Sequence, residues 1–128
     1  MNLPPLADLP RSGRFVLLAS ATALAYFLVG RLGIYLENHV EVMPGIWLAA
    51  GVAAAAAVRF RLAGVAGVLV GALATNWGYA SPQLLPYLAF GAAFGAWVVY
   101  WVTDRTGPDF FSLGSIRAIG RYCLLAIP

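Results

Sequence analysis

The chain has 128 residues, of which 62% are apolar and 10% charged, with a mean hydropathy of +0.82. A soluble domain of this size cannot hide so much apolar surface, because small folds leave much of their area exposed. The formal net charge of +3 is the balance of eight arginines, with no lysine, against five acidic residues, and the arginines are scattered singly between apolar runs. That pattern excludes a nucleic-acid-binding patch and suits the flanks of membrane-crossing helices.

Residues 1–14 are polar, contain Pro4, Pro5 and Pro10, and end in Arg11 and Arg14. They read as a cytoplasmic N-terminal segment. The first apolar run, 15–36, is long enough to cross a hydrocarbon core of ~30 Å at 1.5 Å rise per residue. Ala23-Leu24-Ala25 resembles a signal-peptidase site, but the run continues well past it to Leu36, so a retained span is expected. Glu37, Asn38, His39 and Glu41 then form a short polar loop. Pro44 and Gly45 open the second run, 44–60, with Pro suited to a first helical turn. Arg59-Phe60-Arg61 makes the next turn. The third run is 62–80, broken by Ser81-Pro82-Gln83, and the fourth is 84–102. Residues 103–120 are polar, and 122–128 turn apolar again, as the start of a fifth run in a chain expected to be truncated.

The expected fold is therefore all-α: a polytopic transmembrane bundle of four complete spans and the beginning of a fifth, with residues 15–128 as one domain. Arg11, Arg14, Arg59, Arg61, Arg105, Arg117 and Arg121 fall on one side if the spans alternate, and only Arg31 on the other. Basic residues concentrate on the cytoplasmic side, so the N-terminus is expected inside.

Lipid is as apolar as leucine, so small residues that allow close backbone approach hold such helices together. Gly64, Gly67, Gly71, Ala74 and Gly78 form one expected stripe. Gly91 with Gly95, and Ala50, Ala54 and Ala57, form two more. Homo-oligomers through glycine-rich faces are a further expectation.

No catalytic constellation is present, and the chain does not read as an enzyme. There is no paired carboxylate inside a span, no His/Cys metal spacing and no phosphate-binding glycine loop. No cofactor or metal is called for. Cys123 is single, which excludes an internal disulfide. His39 between Glu37 and Glu41 fits a solvated loop better than a metal or pH-sensing site. Arg31 is a charge inside a span, a functional pointer by default, although snorkelling or pairing with Glu37 or Glu41 explains it better than ligand contact. The topology brings Arg31, Glu41, Trp47, Asn76 and Trp77 to one level of the membrane. An amide, a cation and two indoles there can line a small outward-facing ligand pocket. Singly, each also fits an interfacial aromatic belt or an interhelical hydrogen bond.

Residues 23–77 resemble the MASE1 family of bacterial membrane-associated sensor domains. The resemblance lies in Ala25-Tyr26-Phe27-Leu28-Val29-Gly30 with Gly33, in Pro44-Gly45-Ile46-Trp47-Leu48-Ala49-Ala50-Gly51, in Arg59-Phe60-Arg61, and in Gly64, Gly71 and Asn76-Trp77. The segment from Asp104-Arg105 to Ser115-Ile116-Arg117 is similar to the linker after that family's fourth span. The chain departs from the family in the turn at Trp47, where the tryptophan more usually sits directly before a proline. The resemblance implies a longer domain of roughly eight spans in the inner membrane, an unknown small-molecule signal, and a cytoplasmic output module of histidine kinase or cyclic-di-GMP type. A fragment of a transporter or channel, and a structural anchor without a ligand, are the other readings.

Overall fold

In the computed structural model, residues 10–39 and 48–106 are described. They form four helices and no strand: α1 (Arg11–His39), α2 (Leu48–Phe60), α3 (Leu62–Asn76) and α4 (Leu84–Thr106). Residues 40–47 and 107–128 lie outside the described residues. Glu41, Trp47, Cys123 and the expected fifth run fall there.

α1 and α4, with 29 and 23 residues, are long and apolar enough to cross a membrane. Only 17% and 28% of their most apolar stretches are buried. The core helix of a soluble protein hides such surface, whereas here Leu24, Leu28, Leu32, Phe90 and Phe94 face outward. α2 and α3 are apolar but shorter, at 13 and 15 residues. At 1.5 Å per residue they reach only about 20 and 22 Å, less than a typical hydrocarbon core. The four complete spans expected from the sequence are thus two long helices and two short ones.

The limits of the helices differ from the apolar runs for local reasons. α1 starts just after Pro10, whose carbonyl accepts from the Arg14 N–H at 3.0 Å, and it continues through the polar Glu37-Asn38-His39 turn. α3 stops at Asn76 rather than at residue 80. Trp77 turns extended, and Gly78 takes a φ of +76°, which continues no right-handed helix. The Asn76 carbonyl then accepts from the N–H groups of Tyr79 and Ala80 at 3.1 and 3.0 Å. The Ser81 carbonyl accepts from Leu84 and Leu85 and so starts α4, with Pro82 just ahead of it.

α3 packs most closely on α1, and α2 and α3 touch every other helix, while α1 and α4 scarcely meet. The helices alternate in direction. Arg11, Arg14, Arg59, Arg61 and Arg105 consequently share one end of the bundle, and Arg31, Asn76 and Trp77 share the other.

Glycines set the spacing. A Cβ on Gly64 would lie 2.2 Å from the Ala56 carbonyl oxygen of α2. One on Gly67 would meet Thr22 at 2.5 Å, and one on Gly71 the Ala23 carbonyl oxygen at 2.8 Å, both on α1. The stripe continues as Thr75, against Gly30. Ala74 is exposed and Gly78 lies beyond the helix end, so neither belongs to it. Ala57 is fully buried, and the core gathers around it with Tyr26, Ala49, Ala53, Val68 and Ala72.

Polar side chains on the helices turn back onto their own backbones. Thr22, Thr75, Thr103 and Thr106 each donate to the carbonyl four residues earlier, at 2.7–2.8 Å. This hides a hydroxyl without help from water, as an apolar surrounding requires.

At the arginine-rich end, α2 and α3 are joined by a single residue, Arg61, with φ 56° and ψ −131°. That region is sterically poor for any residue with a Cβ. The Arg61 side chain reaches α4, where it pairs with Asp104 and lies over the Tyr100 ring at 5.3 Å. Tyr100 first, and Asp104 beside it, push the guanidinium pKa further above its usual value.

Candidate functional site

The opposite end holds the residues expected to form a pocket. Arg31 lies on the exposed side of α1, with its guanidinium 5.6 Å from the centre of the Phe27 ring one turn earlier. Its Nη2 donates to the Trp77 carbonyl oxygen at 3.3 Å. Trp77 is the residue that ends α3, so the cation sits where that helix leaves its last carbonyls unpaired and its dipole is negative. The expected pairing with Glu37 does not occur. Glu37 is six residues further along α1 and so roughly 240° around the helix, on another face.

Trp77 is 72% exposed and is not on the lining of the neighbouring cleft. Asn76, its neighbour, is only 7% exposed. Its Nδ2 donates to the Ala72 carbonyl at 2.9 Å. The structure therefore brings Arg31, Asn76 and Trp77 to one level but divides them between two faces. Glu41 and Trp47 lie outside the described residues. His39 ends α1, stacked on Tyr35 with ring centres 4.2 Å apart, and its Nδ1 is 2.8 Å from the Tyr35 carbonyl oxygen. Among the described residues no group of three His, Cys, Asp or Glu could hold a metal ion.

Asn76 faces a cleft of about 880 Å³, a size suited to a small-molecule ligand. It exists because α1 and α4 stay apart while α2 and the end of α3 bridge them. Tyr26 and Ile34 of α1 form one wall, and Leu88, Gly91 and Gly95 of α4 the other. Ala50, Ala53 and Ala54 of α2 form the floor. Glu37, Tyr79, Ser81 and Tyr87 supply polar atoms at the mouth.

The small residues on this side do not act as expected. A Cβ on Gly91 or Gly95 would meet nothing within 4 Å. They do not form a packing seam; they widen a space. Ala50 and Ala54 line the same space, Ala54 while also packing against the core. Sequence reasoning found Asn76 but missed Tyr26, Tyr79, Ser81 and this reversal of the glycines. The spacing of Leu84, Leu88, Gly91 and Gly95 was the available signal, a helical face that loses bulk along its length.

No family model, no curated protein and no solved structure matches this chain.

Proposed function

We propose that this chain is a membrane-embedded sensory input domain of a bacterial signal-transduction protein. It lies in the inner membrane with the arginine-rich end cytoplasmic, and it relays a small-molecule or membrane signal to a cytoplasmic output module of histidine kinase or cyclic-di-GMP type. The observation that carries the reading is the cleft: a recess between apolar helices with a buried amide on its wall, at the end away from the arginines. The arginine asymmetry supports a multi-pass, N-terminus-in arrangement. The short helices α2 and α3 fit a bilayer if longer neighbours and a locally thinned membrane cover their ends. The signalling role rests on the resemblance to the MASE1 family in the residues given for it. α3 uses Gly64, Gly67 and Gly71 within the chain, so self-association through glycine falls to Gly33 and Gly51, where a Cβ would meet nothing.

A transporter usually carries ionisable groups near the membrane midplane. Among the described helices, charges occur only toward the two ends, which disfavours that reading.

Two measurements test the proposal. With Cys123→Ser as background, a cysteine replacing Ser81 is expected to react with an impermeant maleimide from outside the cell, and one replacing Arg59 only after permeabilisation. In the intact protein, Asn76→Ala and Gly95→Leu are expected to change output severalfold. Correct insertion with unchanged output favours a structural anchor.

A further inference from the structure

We infer that the cleft takes a single-chain amphiphile with an uncharged, hydrogen-bonding head, of the long-chain alcohol or monoacylglycerol class. The inference rests on the sensory reading for its purpose but on the cleft alone for its chemistry. Four observations lead to it.

First, small residues line much of the cleft. Its inner part is bounded by Ala53, Ala54, Gly95 and Ala96, and the space beside Gly91 and Gly95 holds no atom of the chain within 4 Å of where a Cβ would stand. Residues without bulk along one face of α4 leave a trough that suits an extended hydrocarbon chain. A flat ring system would meet the buried Tyr26 across it.

Second, polarity is graded along the trough. Asn76, Tyr79, Ser81 and Tyr87 cluster at the end of the bundle, and the alanines and glycines lie deeper. An amphiphile whose head sits at the membrane interface has the same gradient.

Third, Asn76 is 7% exposed and spends one N–H on Ala72. Its carboxamide lies on the cleft lining. A carboxamide both donates and accepts, so an uncharged hydroxyl on a ligand can exchange hydrogen bonds with it.

Fourth, among the described residues the only charged one on the lining is Glu37, while Arg31 is turned away onto the Trp77 carbonyl. A carboxylate at the mouth with no cation beside it disfavours fatty acids and phosphate-bearing lipids. Because α1 and α4 scarcely touch, the trough opens sideways between them, so the ligand enters from the bilayer.

The test is photo-crosslinking of the protein in phosphatidylcholine nanodiscs. Three diazirine-bearing probes of equal chain length are compared: a monoacylglycerol, a fatty acid at pH 8 and an alkyl-trimethylammonium. The expected result is saturable labelling of α4 near Gly91–Gly95 by the monoacylglycerol, competed by unlabelled monoolein. Labelling by the fatty acid is expected to be at least tenfold weaker. Gly95→Leu and Ala54→Leu, which fill open space, should abolish the saturable part. Asn76→Ala should weaken it about fivefold, the loss of one neutral hydrogen bond. Labelling of the outward Leu24–Leu28 face should stay constant in all variants.

Equal, unsaturable labelling by all three probes would overturn the proposal, because the trough would then be ordinary lipid-facing surface. Preference for the fatty acid or the ammonium would overturn the uncharged class. No labelling at all would show that another part of the protein fills the trough. Saturable binding together with output that ignores Asn76→Ala would sink the sensory reading and leave the lipid site standing.

Discussion

A Cβ on Gly30 would stand 2.7 Å from Cγ2 of Thr75, so α1 and α3 meet at a point where one helix has no side chain and the other has a short, fixed one. Thr75 cannot swing away cheaply, because its hydroxyl is committed to the Gly71 carbonyl at 2.8 Å and the residue is fully buried. Gly30→Ala should therefore destabilise the bundle by about 1–3 kcal/mol, the usual cost of overpacking. Thr75→Ala leaves only a Cβ, 3.4 Å away, and should rescue most of that loss. Denaturant unfolding in micelles, arranged as a double-mutant cycle, measures the coupling.

The glycines divide into two kinds that a sequence cannot tell apart. Gly64→Ala drives a methyl into the Ala56 carbonyl and should be among the most damaging single substitutions in the chain. Gly91→Ala and Gly95→Ala enter open space and should be neutral, or stabilising by up to about 1 kcal/mol through helix propensity. The same unfolding assay ranks all three. Damage from Gly95→Ala equal to that from Gly64→Ala would mean that something already occupies the cleft.

Arg61 has a backbone conformation that glycine tolerates and alanine does not. Arg61→Gly and Arg61→Ala both remove the contacts to Asp104 and Tyr100, so the difference between them isolates the backbone. The glycine variant should unfold at the higher denaturant concentration. Equal midpoints would show that the connection between α2 and α3 relaxes to an ordinary conformation once the side chain is gone.

Arg31 places its charge at the carbonyl end of α3. Arg31→Gln should weaken that end by about 0.3–1 kcal/mol, the range for a charge at a helix terminus. Hydrogen exchange at the Tyr79 and Ala80 amides, which bond to the Asn76 carbonyl, should speed up, while exchange along the middle of α3 stays unchanged.

The apolar runs made the four helices legible in the sequence, because hydropathy alone limits where a helix can lie in such a chain. Their ends were less legible. The third run stays apolar through Tyr79 and Ala80, and only the conformation of Trp77 and Gly78 stops the helix. Burial was harder still. Small residues at three-and-four spacing mark a face, but which neighbour that face meets depends on how each helix is rotated when it docks. That is why Gly67 and Gly71 behave as packing residues while Gly91 and Gly95 line a void. Of the expected site, Asn76 is buried at the end of α3 and lies on the cleft lining. Arg31 and Trp77 turned out to be partners of each other through a backbone carbonyl, a contact that no residue pattern announces.

α4 is a single unbroken helix that carries a wall of the cleft near one end and Asp104 near the other, about 20 Å apart at 1.5 Å per residue. Asp104 is clipped to Arg61, and Arg61 is the one-residue elbow of the α2–α3 hairpin. α4 thus packs on α2 and α3 with little of α1 touching it, and a substitution that wedges the trough open should shift α4 relative to the α2–α3 hairpin, with the Arg61–Asp104 pair holding its far end.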